Sequence, residues 1–211
     1  MTSKQTKKKN TKIPIKEYVM ENMFCLPKGA LGQLGGRLMS QDRRLPAWVL
    51  ELLEINPSDS VLEIGSGPGV GLELAAARAH KGWMVGLDPS ETMLGMASRR
   101  NHALIEAGRV QLHHARVERL PFEDAVFDKA MAMNTLHLWP DPVAGLMAIK
   151  RTLKPGGRIA IAFTRFSSAS FVSFESHLMA AGFAEVTVHS GEPGTCAIGC
   201  APGMPGDRTN P

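Results

Sequence analysis

Val61-Leu62-Glu63-Ile64-Gly65-Ser66-Gly67-Pro68-Gly69 is a short apolar run that passes straight into three alternating glycines, and a helix-like segment begins near Val70. Val61, Leu62 and Ile64 suit a buried parallel strand, while Gly65, Gly67 and Gly69 let the backbone turn sharply and approach a ligand where a Cβ would collide. A helix N-terminus after such a turn presents unpaired N–H groups and the positive end of a dipole, which suits a carboxylate or a phosphate. Two ligand classes fit a cradle of this kind: a dinucleotide, or a nucleoside that carries an amino acid.

Two residues separate them. The dinucleotide fingerprint places a third glycine three residues after its second, and that position here is Val70. Glu63 stands at the strand-to-loop junction, where a carboxylate repels a pyrophosphate but accepts a hydrogen bond from an ammonium group. A second strand-like run, Trp83-Met84-Val85-Gly86-Leu87, ends on Asp88. At the carboxyl end of a neighbouring strand in an open α/β sheet, that carboxylate is placed to accept from both hydroxyls of a ribose. The competing reading of Asp88 is a helix cap shared with Pro89 and Ser90.

Outward from this core the pattern alternates. Residues 45–55 carry a helical stripe that Asn56-Pro57-Ser58-Asp59 ends, residues 70–80 and 90–106 read as helices, and 109–113 and 126–133 read as the third and fourth strands. A helix over 142–153, a strand over 158–164, a helix over 170–181 and two strands over 183–189 and 195–201 follow. Lys154-Pro155-Gly156-Gly157 suits a helix-to-strand turn. The alternation predicts a doubly wound α/β fold with a mostly parallel sheet and helices on both faces.

The glycine loop, Asp88, Leu120-Pro121-Phe122 with Phe127-Asp128, Asn134-Thr135-Leu136-His137 before Asp141-Pro142, and Leu153-Lys154-Pro155-Gly156-Gly157 occur in an order that resembles the class I S-adenosylmethionine-dependent methyltransferases. The likeness is to the large group that includes the quinone-biosynthesis C-methyltransferases, and it covers roughly residues 45–201. It implies a Rossmann-like sheet of seven strands with the last one antiparallel, S-adenosylmethionine as methyl donor, and a small-molecule acceptor methylated on carbon or oxygen. By the same resemblance Met93 lies against the adenine, Asn134 and the backbone of Val117 join the donor site, and residues 13–57 form a helical lid ahead of the domain at 58–201. The chain departs from the family at Arg116, where resembling proteins carry an aspartate that accepts from the adenine amino group. Arginine has no acceptor. Either Arg116 stacks on the ring, or Val117 N–H and Glu118 complete recognition without it.

In-line displacement from a sulfonium requires proximity, alignment and exclusion of water, and neither a nucleophile nor a metal is obligatory. A base is needed only if the acceptor must lose a proton, and His137 is the candidate, as base or acceptor-binding group. The loop 134–139 lacks the Asn/Asp-Pro-Pro-aromatic arrangement of resembling enzymes that methylate exocyclic nitrogens, so no nucleic-acid acceptor is expected. A non-catalytic module of the same fold is the alternative, motivated by Arg116. A nicotinamide dehydrogenase is disfavoured by Val70 and Glu63.

At 211 residues with 44% hydrophobic content the chain suits one substantial core, and no apolar run reaches membrane-spanning length. The formal charge of +4 is misleading, because Lys4, Lys7, Lys8, Lys9 and Lys12 stand in a stretch with no acid, and the remainder is close to neutral. That tail, over residues 1–12, and the end at 202–211 read as solvated segments. Neither a signal nor a transit pattern precedes the domain, so a cytoplasmic location is expected. Adjacent His113 and His114 point to opposite faces of a strand, and Cys196 and Cys200 are too far apart along one to clasp an ion. No metal site is expected.

Overall fold

The computed structural model describes residues 14–165 and 174–203. Strand β1 (Val61–Ile64) is buried at all four positions, as a strand flanked by neighbours and covered on both faces must be. Around it β2 (Met84–Asp88), β3 (Val110–His114), β4 (Phe127–Met133), β5 (Leu153–Thr164), β6 (Ala184–Gly191) and β7 (Gly194–Cys200) complete a seven-stranded sheet in the order β3-β2-β1-β4-β5-β7-β6. The pairings through β5 are parallel, and β7 runs antiparallel to both β5 and β6. The reversed final strand expected from the resemblance is present.

The helices are α1 (Ile15–Met20), continued by a π turn at Glu21–Cys25, α2 (Gly29–Met39), α3 (Arg44–Leu52), α4 (Val70–Arg78), α5 (Glu91–Arg100), α6 (His102–Glu106), α7 (Pro142–Thr152) and α8 (Phe174–Ala180). Strand alternation divides the core in two. Val61, Met84, Met131 and Ala160 pack beneath Val49 of α3 and Leu72 and Ala75 of α4. Their strand neighbours Leu62, Val85, Ala130 and Ile159 pack on the other face against Leu146 and Ile149 of α7 and Leu178 of α8. Among the described residues no helix is long and apolar enough to cross a membrane.

Two local expectations change. The helix expected over 90–106 is interrupted at Asn101, whose side-chain Nδ2 donates to Ala97 O and to Gly69 O. Lys154-Pro155-Gly156-Gly157, expected as a helix-to-strand turn, is a bulged start of β5. Gly156 holds φ +78°, Gly156 N donates to Ala201 O, and Ala201 N donates to Gly157 O. The lysine-rich stretch, residues 170–173 and most of the expected end at 202–211 lie outside the described residues.

The bulge is tied to β4 by Asp128. Its carboxylate accepts from Ser60 N at 2.9 Å, from Ser60 Oγ at 2.7 Å and from Lys154 Nζ at 2.8 and 2.9 Å. Partial burial pushes this carboxyl up, but the Lys154 ammonium and the Ser60 donors outweigh it and hold the group below its usual range. The resulting stability is present above the ordinary aspartate range and is lost as pH falls through the depressed value. Asp128→Ala is expected to lower unfolding free energy by about 1–3 kcal/mol at neutral pH. In urea titrations its difference from wild type should shrink on acidification.

Candidate functional site

The three glycines of the loop have separate duties. All are left-handed, with φ of +69° at Gly65, +52° at Gly67 and +80° at Gly69. A Cβ at Gly65 would run into the Thr135 side chain, and one at Gly69 would meet Asn101 Nδ2 at 2.5 Å and Ala97 at 2.9 Å. At Gly67 nothing lies within 4 Å of that point. Gly65 and Gly69 therefore let the protein close in behind the loop, whereas Gly67 alone fronts open space.

The loop is also held from behind. Arg100 Nε donates to Pro68 O at 3.0 Å and Asn101 Nδ2 to Gly69 O at 3.1 Å, so the end of α5 takes up two loop carbonyls. Arg100 further pairs with Glu73 at 2.9 Å, which Arg43 shares from the linker after α2. Sequence reading missed Arg100, Asn101 and Thr135. Thr135 stands in the Asn134-Thr135-Leu136-His137 stretch without a role assigned to it, and Arg100 and Asn101 read as ordinary residues of one helix over 90–106. A groove of about 500 Å³ lined by Arg37, Ser40, Glu73, Met96 and Arg100 touches the loop only at Pro68. It includes neither Gly67 nor Asp88.

Asp88, 6% exposed, sits beside Gly67 at the end of β2. Its Oδ2 accepts from Gly67 N at 2.9 Å and its Oδ1 from Ser90 N at 2.8 Å, which leaves each oxygen further lone pairs. Burial raises its pKa, opposed by the N–H donors of Ser90 and Gly67 and by His114. Asp88 thus accepts both from the glycine loop and from the turn that leads into α5. Ser90 in turn caps α5 through Met93 N, and its Oγ donates to Pro27 O.

Glu63 faces α4. Its carboxylate packs on Gly71 and accepts from Leu72 N–H, and it is only 2% exposed. Burial and the nearby Asp88 carboxylate raise its pKa well above the usual carboxylate range, and the Leu72 N–H opposes this only in part. Glu63 Oε2 and Ser66 Oγ are buried without a hydrogen-bond partner among the described residues.

The remaining candidates surround the same end of the sheet. Met93 is buried in the first turn of α5, and Gly36 of α2 leaves room for its methyl group and for Met96. Val117 is buried at the start of a 3₁₀ turn, while Arg116 just before it is exposed with no side-chain partner among the described residues. Asn134 takes φ +56° and its Oδ1 accepts from Thr164 N at 2.9 Å, so its acceptor is spent on β5. His137 lies in a 3₁₀ turn with its ring 5.5 Å from that of Phe163, and burial pushes its pKa below the ordinary imidazole value. Cys196 is fully buried with its thiol pushed up to about 12, which removes it as a thiolate ligand at neutral pH. His114 bonds to Pro89 O whereas His113 meets the Phe122 ring, and no metal-competent cluster occurs among the described residues.

The open space at Gly67, the spare lone pairs of Asp88 and the unpartnered Ser66 Oγ fit a nucleoside with a polar amino-acid arm such as S-adenosylmethionine. Comparison with known proteins agrees. A family model described as a methyltransferase domain matches residues 62–161. An uncharacterized methyltransferase, YdaC of Bacillus subtilis (strain 168), is 33% identical over 129 residues, covering 61% of this chain and 69% of its own length. The ubiquinone/menaquinone biosynthesis C-methyltransferase UbiE of Geotalea daltonii is 32% identical over 135 residues, and the match spans 64% of this chain but only 57% of that protein. A Methanococcus maripaludis structure described as a candidate S-adenosyl-L-methionine-dependent methyltransferase superposes with a TM-score of 0.68 at 19% identity, over 82% of this chain and 94% of that one.

Glu63 makes a measurable demand. Its raised pKa means that folding favours the protonated carboxyl. Stability is therefore greatest in acid and falls as pH rises from the ordinary glutamate range through the raised value. Glu63→Gln is expected to raise the melting temperature of the ligand-free protein at neutral pH by at least about 2 °C, the effect of roughly 1 kcal/mol in a chain of this size. Calorimetry across pH should show the gain vanishing in acid.

Proposed function

The chain belongs to the S-adenosylmethionine-dependent methyltransferases, and on that premise we propose that it methylates carbon or oxygen of a small-molecule acceptor at the mouth of the glycine loop. The observation that carries this reading is the unobstructed front of Gly67 beside a carboxylate already oriented by two backbone donors. Bound S-adenosylmethionine supplies a methyl group on a sulfonium, whose departure leaves a neutral thioether. The protein's part is placement. The Asp88 lone pairs take ribose hydroxyls, Met93 lies under the adenine, and the N–H groups that open the turn at Val117 face its edge. Glu63, packed on Gly71 and accepting from Leu72 N–H, keeps the loop and the N-terminal turn of α4 in register.

The segment 13–57 serves as lid, because Gly36 rests on Met93 and Met96 and Pro27 O accepts from Ser90 Oγ. A proton lost by the acceptor goes to His137, whose lowered pKa keeps its imidazole neutral at pH 7. A second reading, a donor-fold module without turnover, is favoured by Arg116, since an exposed guanidinium stands where an acceptor for the adenine amino group would be useful. Transfer of radiolabelled methyl to a small-molecule extract decides between the two.

S-adenosylmethionine at 100 times its dissociation constant is expected to stabilise the fold by roughly 2.7 kcal/mol, with no shift from nicotinamide dinucleotides. Asp88→Asn should weaken that binding by about 1.5–3 kcal/mol as charged hydrogen bonds to ribose are lost, and unchanged calorimetric affinity would sink the assignment. For turnover, the rate should fall with acid as the His137 imidazole protonates, at a pH below about 6.5. His137→Gln should lower the rate by about 10²–10⁴ and flatten that limb. Survival of the limb in the variant would remove His137 from the chemistry.

A further inference from the structure

The groove between α2, α4 and α5 gathers positive charge that donor binding does not use. Of its seven lining residues three are arginines, Arg37, Arg99 and Arg100, and one, Glu73, is an acid. Glu73 is already satisfied: its Oε2 accepts from Arg100 Nη1 at 2.9 Å and from Arg43 Nη1 at 3.1 Å, and its Oε1 from Arg43 Nη2 at 3.3 Å. Burial raises its pKa, but the bonds from Arg100 and Arg43 outweigh this and hold the carboxyl below its usual range. One negative charge is thus shared by Arg43 and Arg100, whereas Arg37 and Arg99 have no side-chain partner among the described residues. An unpaired exposed arginine is ordinary on its own. Two that line one concavity beside a third, in a chain that is close to neutral beyond residue 12, make a local excess of charge.

Donor chemistry selects the ligand. Ser40 Oγ spends its proton on Gly36 O at 2.7 Å, so the free side-chain donors of the groove are guanidinium N–H groups. Arg100 uses Nε on Pro68 O and Nη1 on Glu73, which leaves three of its five N–H bonds. Arg99 lies back along its own helix, with Nη1 3.7 Å from the point that a Cβ at Gly95 would occupy. Such planar forks pair with the oxygens of carboxylates and phosphates. Two unanswered positive charges match a dianion better than a monoanion, and a phosphomonoester carries close to two negative charges at neutral pH. A volume of about 500 Å³ has room for a phosphate and a small organic body. With Met96 and Pro68 as its apolar lining, the groove offers little to a pair of acyl chains. We propose that it binds a small, soluble phosphomonoester, with the phosphate between Arg37 and Arg99 and the spare N–H groups of Arg100 turned to it. The site is separate from the donor cradle, because neither Gly67 nor Asp88 lines it, and the bond that braces Pro68 uses an N–H that the phosphate does not need.

The test is isothermal titration calorimetry of the full chain at low salt and about pH 7.5, where a phosphomonoester is chiefly dianionic. The probes are glycerol 3-phosphate, glycerate and dihexanoyl phosphatidic acid, which share a three-carbon body and differ in charge and acyl chains. Glycerol 3-phosphate should bind one-to-one, saturate below about 10 mM, exceed glycerate in affinity and weaken as salt is added. Arg99→Ala should weaken it about tenfold or more, the loss of one charge-assisted hydrogen bond, and Arg99→Glu further still. Both variants should melt within about 2 °C of wild type, as the check on folding. Lys81→Ala removes the same charge at an exposed position past the end of α4, outside the groove, and should bind as wild type does. Failure to saturate, equal affinity for glycerate, or equal binding by wild type and the Arg99 variants would overturn the proposal, as would a loss in Lys81→Ala matching that in Arg99→Ala. Dihexanoyl phosphatidic acid binding about tenfold or more tightly than glycerol 3-phosphate would assign the groove to a lipid headgroup instead. Competition between glycerol 3-phosphate and S-adenosylmethionine would place the anion in the donor cradle, and either result overturns a separate site for a soluble ester.

Discussion

Everything at the carboxyl end of the sheet depends on one backbone constraint: three alternating left-handed residues directly after a four-residue strand. No residue with a Cβ adopts that conformation repeatedly without strain, and at two of the three positions a Cβ would strike neighbouring side chains as well. Thr135 comes up to one side of the turn, Ala97 and Asn101 to the other, and their contact fixes β1, the loop after β4 and α5 relative to one another. Arg100 and Asn101 then occupy the carbonyls of Pro68 and Gly69. A turn that would be soft in isolation is immobilised from behind and left bare in front.

Asp88 closes the arrangement through short-range electrostatics. A carboxylate that is 6% exposed is costly unless its oxygens are paired, and here one takes Gly67 N–H and the other Ser90 N–H. The pairing joins β2 to the glycine loop and starts α5 at the same point. Glu63 plays a different part although it is also an acid at a strand end. It lies on the α4 side of the sheet, shut off from water and near the Asp88 charge, and it tends toward the protonated form. Burial raises the pKa of both carboxyls, but two backbone donors hold back the shift of Asp88, whereas Glu63 has only the Leu72 N–H against burial and the Asp88 charge.

Much of this was legible from the amino acids. Strand β1, the glycines, Asp88 and the reversed final strand follow from local apolar runs, turn residues and family pattern, all of which act over short stretches of chain. What escaped was contact across the sequence. That Gly65 yields to Thr135 and Gly69 to Asn101 depends on tertiary packing, for which a glycine leaves no sign of which neighbour fills its missing side chain. Lys154-Pro155-Gly156-Gly157 read only as a helix-to-strand turn, because proline and glycine signal irregularity without saying that Ala201 would pair across it. For Asn134 the family pattern gave no sign that its Oδ1 would accept from Thr164 N, a contact that leaves its amide N–H groups as the donors.

The position of β7 has a consequence for how the chain comes into being. The strand is made after β6 yet is inserted between β5 and β6, and within the sheet β6 has no other neighbour. During synthesis on a ribosome β1 to β5 can associate as they emerge, but β5 keeps an open edge and β6 has nowhere to pair until residues 194–200 clear the exit tunnel. That edge includes Ile159, Ile161 and Phe163, a strand of the kind that recruits other chains when left unpaired. Completion of the sheet therefore waits for β7, and the interval between making β5 and releasing β7 is when the nascent protein most needs a chaperone or a low local concentration of its own kind.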